Sequence, residues 1–458
     1  QEYSSMVDEL SPLTPSLIED PFDVIWEDRP SLQFNPIRYV DETITGESVA
    51  SKHSRLVEKL SGPVPFAYIV TALDEICWLC NIRGTDVEYN PLVLSYAVVT
   101  PENIHLFLME QMMEASAINI LSEQGVIFHP YEDIVKFLTN LPKDCIRIYS
   151  SGKISAKNFF ASMDNIHHNA PFAPYAADPM TGGVLANMKA VKNEVELAGF
   201  RKAYAEDAKA QIKFFNWIKE NVNNGITEYQ AALKLIEFRS ECPDYLGESF
   251  PPIVAYGPNA ALPHYGPSEE VSSVILPKGF LLIDTGAHYT YGTTDTTRTL
   301  AVGELTQEQK DDYTAVLKGM INLSMAKFNK GTRGAQLDML ARGPIMARGK
   351  IYWHGTSHGI GHNLCVHEGP QSIRMEENSV SLALGMVLSN EPAVYIVGEY
   401  GIRIENTIVV APWMKNEFAE FYQFETLNVL PINTEPINYD MLDEPHKQWL
   451  EEYNSRCL

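Results

Sequence analysis

Apolar positions along this chain recur with two periods, near two and near 3.6 residues, and the switches between them lay out its elements. Between Glu47 and Met163 the pattern is mixed. Helical spacing predicts a helix over Ser51–Leu60, and a β-prone run predicts a strand over Phe66–Ala72. Leu92–Thr100 and Ile104–Met109 read as a hairpin about Pro101-Glu102-Asn103. Helical spacing returns in Met112–Leu121 and Tyr131–Leu138, and Cys145–Ser150 is a further strand. Together these make one α/β domain of about 130 residues. Pro, Ala and Gly accumulate between Asn169 and Gly183, which predicts a domain boundary there.

Beyond that boundary one order of blocks occurs twice. Leu197, Phe200, Tyr204, Ala208, Phe215 and Ile218 define a long amphipathic helix closed by Gly225, and Thr227-Glu-Tyr-Gln230 is a capping box that opens a second helix. Strands follow, ending in a hairpin over Leu281–Leu300. The order then restarts: Thr306-Gln-Glu-Gln309 caps a helix to about Phe328, Gly331 and Gly334 interrupt, a short helix runs to about Ala347, and strands return over Met386–Val410. Two αα-then-β halves predict a pseudo-two-fold α+β domain with its site where the halves meet.

Composition narrows the class. With 45% hydrophobic and 21% charged residues over 458 positions, the chain reads as two soluble globular domains plus linkers. Its longest apolar runs are strand-length, short of the roughly 20 residues a spanning helix needs. A net charge of -24 disfavours nucleic acid and anionic membrane as partners, because their phosphates would be repelled. The six cysteines are sparse, as expected in a reducing, cytoplasmic setting. Cys77 and Cys80 form a C-x-x-C, but with no second pair they read as small core hydrophobes. Residues 1–40, starting at Gln1 and punctuated by prolines over Ser11–Pro36, read as a linker arriving from a missing upstream domain.

The chemistry concentrates in two hairpins. Asp284 ends the apolar run Leu281-Leu-Ile, and Asp295 lies in Gly292-Thr-Thr-Asp-Thr-Thr-Arg298 on the returning strand. Glu391 ends the run Val387–Asn390 ahead of Pro392, and Glu405 lies in Gly401-Ile-Arg-Ile-Glu-Asn. Four carboxylates brought together by apolar strands would raise one another's pKa and suffer desolvation. Two divalent cations would neutralise them, and oxygen ligands with one imidazole suit Mn, Co or Zn. The imidazole comes from His354-Gly-Thr-Ser-His358-Gly-Ile-Gly-His362, continuing to His367-Glu-Gly-Pro. His354 and His358 stand four apart, but no glutamate follows the first and the glycines make a zincin helix improbable. His362 reads as a satisfied core or surface histidine.

Asp284-x10-Asp295, the His358 segment, the Asn-Glu-Pro run and Gly-Ile-Arg-Ile-Glu-Asn together resemble the pita-bread metallopeptidases, and within them the Xaa-Pro aminopeptidases. Leu73-Asp-Glu and Trp78-Leu-Cys-Asn-Ile-Arg-Gly-Thr-Asp-Val-Glu-Tyr-Asn-Pro91 are similar to the creatinase-type domain of that subfamily, and Met441–Tyr453 to its C-terminal extension. The implied fold is an α/β creatinase-type domain over 41–175, then an α+β pita-bread catalytic domain over 176–458, the extension starting at about 411.

The resemblance implies that Asp284 binds one metal, that Asp295 and Glu405 bridge both, and that His358 and Glu391 complete the other's shell. His264, His354 and His367 would hold substrate and the developing oxyanion, and Arg403 would orient a bridging carboxylate. It implies hydrolysis of the N-terminal Xaa-Pro bond by a metal-bridging water, with Glu391 moving the proton, two divalent ions (most readily Mn), a peptide substrate with proline second, and a homodimer. Prolidase, which accepts only dipeptides, and a non-catalytic pita-bread binding protein are the alternatives. The departures are Ala393 where relatives carry Gly, and His362.

Overall fold

Tyr96–Val99 and Ile104–Leu108 pair antiparallel about the 100–103 turn, as the alternating pattern predicts. The computed structural model describes positions 10, 12, 18, 20–60, 62, 65–141, 147–150, 154–163, 175–177 and 182–458. Most of the predicted boundary stretch Asn169–Gly183, much of the segment before residue 20, and Cys145 lie outside the described residues. Two units divide the chain: residues 1–41 with 47–185, and residues 42–46 with 186–458.

In the first unit the five residues Phe66–Val70 are all buried, so this strand runs inside a six-stranded mixed sheet. Its order is Val126–Pro130, Ile104–Leu108, Tyr96–Val99, Phe66–Val70, Arg147–Ser150, Tyr175–Ala177. A continuous apolar run is the expected signature of such a strand. The helix Val49–Leu60 buries Val49, His53, Leu56 and Leu60 along one stripe. The helix predicted from Met112 starts only at Ala115, because the Met112 carbonyl is taken by the amide of Ile37. Cys77 and Cys80 are fully buried free thiols, and burial pushes Cys77 up to about 12. They are core residues, inert as nucleophiles.

The second unit carries the repeated order. The helix Glu194–Asn221 opens with a capping box of Asn193 and Glu196, and Glu228–Ser240 with the predicted box of Thr227 and Gln230. Both pack through Phe214, Ile218, Ala231 and Leu235 on a sheet of Ile253–Tyr256, Phe280–Thr285 and Thr296–Ala301. In the second half Gln307–Ser324, capped by Thr306 and Gln309, and Asp338–Met346 lie against a six-stranded sheet and the hairpin Ala393–Ile396 with Tyr400–Arg403. The first of these helices stops short of Phe328, which instead joins a strand opposite Tyr422. The C-terminal helix Glu444–Ser455 buries Leu450 and Tyr453 in the same core.

Candidate metal centre

Each catalytic hairpin breaks where it changes sheets. In the first, Phe280–Thr285 pairs with Thr296–Ala301, and beyond the break Ala287–Tyr289 pairs with Gly292–Thr293. In the second, Asn390 pairs with Asn406 before the break and Ala393 with Arg403 after it. Asp284 and Asp295 sit at one break, Glu391 and Glu405 at the other. The Glu405 amide donates to the Thr297 carbonyl at 3.0 Å, joining the two breaks.

The five expected groups meet here. Ligand atoms of Asp284, Asp295 and Glu405 lie within 4.8 Å of one another, as do those of His358, Glu391 and Glu405, and those of Asp295, His358 and His367. His358 Nε2 is 3.4 Å from both Asp295 Oδ2 and Glu391 Oε1. Its Nδ1 is 2.9 Å from the Gly359 carbonyl, to which it donates, so Nε2 is the nitrogen that faces the carboxylates.

The electrostatics test whether cations fit. Burial raises Glu405 well above the usual carboxylate range, with Asp295, Glu391 and Asp284 adding to it. Burial also raises Glu391 to about 7, with Asp295 and Asp284 adding while His358 opposes. Burial works against a proton on His358, yet Asp295 and Glu391 outweigh it and raise its pKa to about 9. Arg403 ion-pairs with Asp284 Oδ2, whereas Asp284 Oδ1 is buried with no hydrogen-bond partner among the described residues. Four acids against one guanidinium, with an orphaned carboxylate oxygen aimed among them, fit two divalent cations.

The surrounding residues refine the expectations. Arg403, expected to orient a bridging carboxylate, reaches Asp284 instead, because its guanidinium is also held by Tyr395 Oη at 2.5 Å and Thr297 Oγ1 at 3.2 Å. His354 is expected to face the oxyanion. Its Nδ1 donates to the Gly355 carbonyl at 2.8 Å and its Nε2 accepts from Tyr395 at 3.0 Å, so both ring nitrogens are engaged in this structure. Burial and the nearby Arg403 push His354 down to about 4, keeping it neutral. His367 is exposed, its ring edge-on to His358 with centroids 4.4 Å apart. His264 is also exposed and lies near His367. His362 is buried against Phe200, away from the cluster's ligand sets.

Several supporting residues escaped the sequence reading. Thr297 Oγ1 donates to Glu405 Oε2 at 2.9 Å, and Ser389 Oγ donates to Glu391 Oε1 at 3.0 Å while accepting the His358 amide at 3.1 Å. Each lies two positions from an acid on a strand, and strand alternation alone could have found them. Arg298 donates to the Glu405 carbonyl at 2.5 Å and to Tyr453 Oη at 2.9 Å, tying the C-terminal helix to the site. Tyr395 and Tyr204, whose Oη accepts the Asp295 amide at 3.1 Å, carry no local signal.

Comparison with known proteins agrees with this architecture. Residues 198–412 match metallopeptidase family M24, residues 420–458 the C-terminal region of peptidase M24, and residues 28–196 the Creatinase/Prolidase N-terminal domain. A creatinase-type N-terminal domain is therefore present ahead of the catalytic one, as expected, but its match begins at residue 28, which corrects the reading of that part of 1–40 as linker. A probable Xaa-Pro aminopeptidase P of Coprinopsis cinerea is 36% identical, covering 97% of this chain and 73% of its own. One of Fusarium vanettenii is 37% identical over 98% and 74%. The crystal structure of an X-prolyl aminopeptidase from Caenorhabditis elegans, described as a cytosolic enzyme with a di-nuclear active site, superposes with TM-score 0.90 at 32% identity, over 99% of this chain and 74% of that one. A Pyrococcus horikoshii prolidase shares the fold, at TM-score 0.64 and 23% identity over 84% of this chain and 99% of its own. The chain belongs to metallopeptidase family M24, among the Xaa-Pro aminopeptidases.

Proposed function

We propose that the protein is a metal-dependent aminopeptidase that hydrolyses the N-terminal Xaa-Pro bond of peptides. The observation that carries this reading is the meeting of Asp284, Asp295, His358, Glu391 and Glu405 at the two hairpin breaks, in a chain alike over its length to Xaa-Pro aminopeptidases. Asp284, Asp295 and Glu405 would hold one divalent ion, and His358 and Glu391, with Asp295 and Glu405 shared, the other. Manganese is the reading's choice of metal, cobalt and zinc fitting the same donors. When bound, the ions would activate a water near neutral pH and polarise the scissile carbonyl.

The chain's own groups supply the rest. Glu391, whose Oε1 is held by Ser389, is suited to accept a proton from the attacking water and return it to the departing proline nitrogen. Arg403 and Tyr395 hold Asp284 and His354 in place. His367, exposed and edge-on to His358, and His264, exposed near His367, would meet the peptide carbonyl. Among the described residues, no helix is long and apolar enough to cross a membrane. A cytoplasmic, homodimeric enzyme acting on free peptides, with no nucleic-acid partner, completes the reading. Treatment with a chelator should abolish cleavage of an Xaa-Pro-Yaa tripeptide, and Mn should restore it. Activity that survives chelation would sink the proposal, and cleavage of Xaa-Pro dipeptides alone would move it to prolidase.

A further inference from the structure

Behind the two aspartates lies a buried ion network that the mechanism above does not use. Strand alternation separates the two sides: Asp284 and Asp295 face the carboxylate cluster, while their neighbours Thr285 and Thr294 face the opposite way. Arg239, on the helix Glu228–Ser240, is fully buried. Its guanidinium donates to Asp207 Oδ1 at 2.8 Å and Oδ2 at 3.2 Å, to Glu248, to Thr285 Oγ1 at 2.5 Å and to the Gly286 carbonyl at 3.3 Å. Asp207, on the helix Glu194–Asn221, also accepts from Thr294 Oγ1 at 2.9 Å and Tyr289 Oη at 3.2 Å. The Thr294 hydroxyl in turn accepts the Ala287 amide at 3.0 Å.

Both strands are thus gripped within one residue of an aspartate, and the grip leaves no slack. A Cβ on Gly286 would come within 2.0 Å of the Thr294 carbonyl oxygen and 2.4 Å of Ser249 Oγ. We propose that Arg239, with Asp207, is a positioning residue for the metal centre: acting through Thr285, Gly286 and Thr294, it sets the spacing of Asp284 and Asp295. A buried salt bridge is weak support for stability by itself, but a planar guanidinium with several fixed donors is well suited to hold two strands in register.

This inference rests on the reading of Asp284 and Asp295 as ligands, and the test separates the two. Metal-free full-length protein is titrated with Mn²⁺ by calorimetry, alongside kcat and KM on an Xaa-Pro-Yaa peptide. Thr294→Val removes the hydroxyl and keeps the shape. It should weaken Mn²⁺ binding by about 10–100-fold, the range for loss of a group supporting a ligand, and lower kcat with KM unchanged; Thr294→Ser should restore both. Thr285→Val should act in the same direction and provides the measurement if Thr294→Val does not fold. Leu235→Ala, a buried apolar truncation on the helix that carries Arg239, should lower the thermal midpoint without that loss of affinity. Wild-type Mn²⁺ affinity in both valine variants, or an equal loss in Leu235→Ala, overturns the positioning role. Wild-type protein that binds no Mn²⁺ overturns the ligand reading beneath it.

Discussion

The segment that carries His354 and backs Glu391 hangs on one buried ion pair, and a double-mutant cycle measures what that pair contributes. Arg342 donates through Nε to Asp338 Oδ2 at 2.5 Å, and through its terminal nitrogens to the carbonyls of Tyr352 at 2.5 Å and His354 at 2.8 Å. Asp338 Oδ1 accepts from Thr356 at 2.6 Å, and the Thr356 carbonyl takes the Glu391 amide at 3.0 Å. Arg342→Met leaves a buried carboxylate alone and should cost about 3–5 kcal/mol, and Asp338→Asn, which strands the guanidinium, a similar amount. The double variant leaves no lone charge. Its cost is the two carbonyls without donors, at roughly 1–1.5 kcal/mol each, so about 2–3 kcal/mol in all. Urea unfolding of the four proteins reads these differences as shifts in midpoint at constant slope. Because His354 and the Glu391 amide hang on the same segment, kcat should fall in both single variants. Single costs that add to within about 0.5 kcal/mol would show the two side chains to be uncoupled and refute the reasoning.

Three further outcomes follow from particular contacts. Thr297→Val deprives Glu405 of a donor and Arg403 of an acceptor, and should cost about 1–3 kcal/mol of stability with a drop in kcat, both recovered in Thr297→Ser. Gly286→Ala forces a Cβ against backbone and should yield little folded protein on expression, seen as loss of the cooperative thermal transition. In the first unit, burial and then the neighbouring His129, whose Nε2 is 3.0 Å from His105 Nδ1, push His105 down to about 4. Its folded pKa lies below the unfolded value near 6.5, so the unfolded chain binds the extra proton; this stability is present above about pH 6.5 and is lost as pH falls toward 4. Hydrogen exchange along Ile104–Leu108, corrected for intrinsic rate, should therefore quicken between pH 7 and pH 5, and His105→Gln should flatten that dependence.

The candidate ligand set was legible because its information is local. Each acid closes or opens a β-prone run, Pro392 and the glycines mark the breaks, and four acids on apolar strands require a neutralising partner wherever they meet. The capping boxes at Thr227 and Thr306 were legible for the same reason, since each is settled within four residues. The residues that hold the ligands in place were not. Arg403 and Asp284 are separated by 119 positions, Thr294 and Asp207 by 87, and Arg239 and Thr285 by 46. No periodicity links such pairs, and a buried charge looks in sequence like a surface one. Only the tertiary packing decided that Arg403 takes Asp284, that Tyr395 occupies His354, and that Arg239 lies fully buried behind the aspartates. Burial makes each of those choices costly to leave unpaired. Local pattern therefore marked the groups that meet at the candidate metal centre, and tertiary structure decided how they are held.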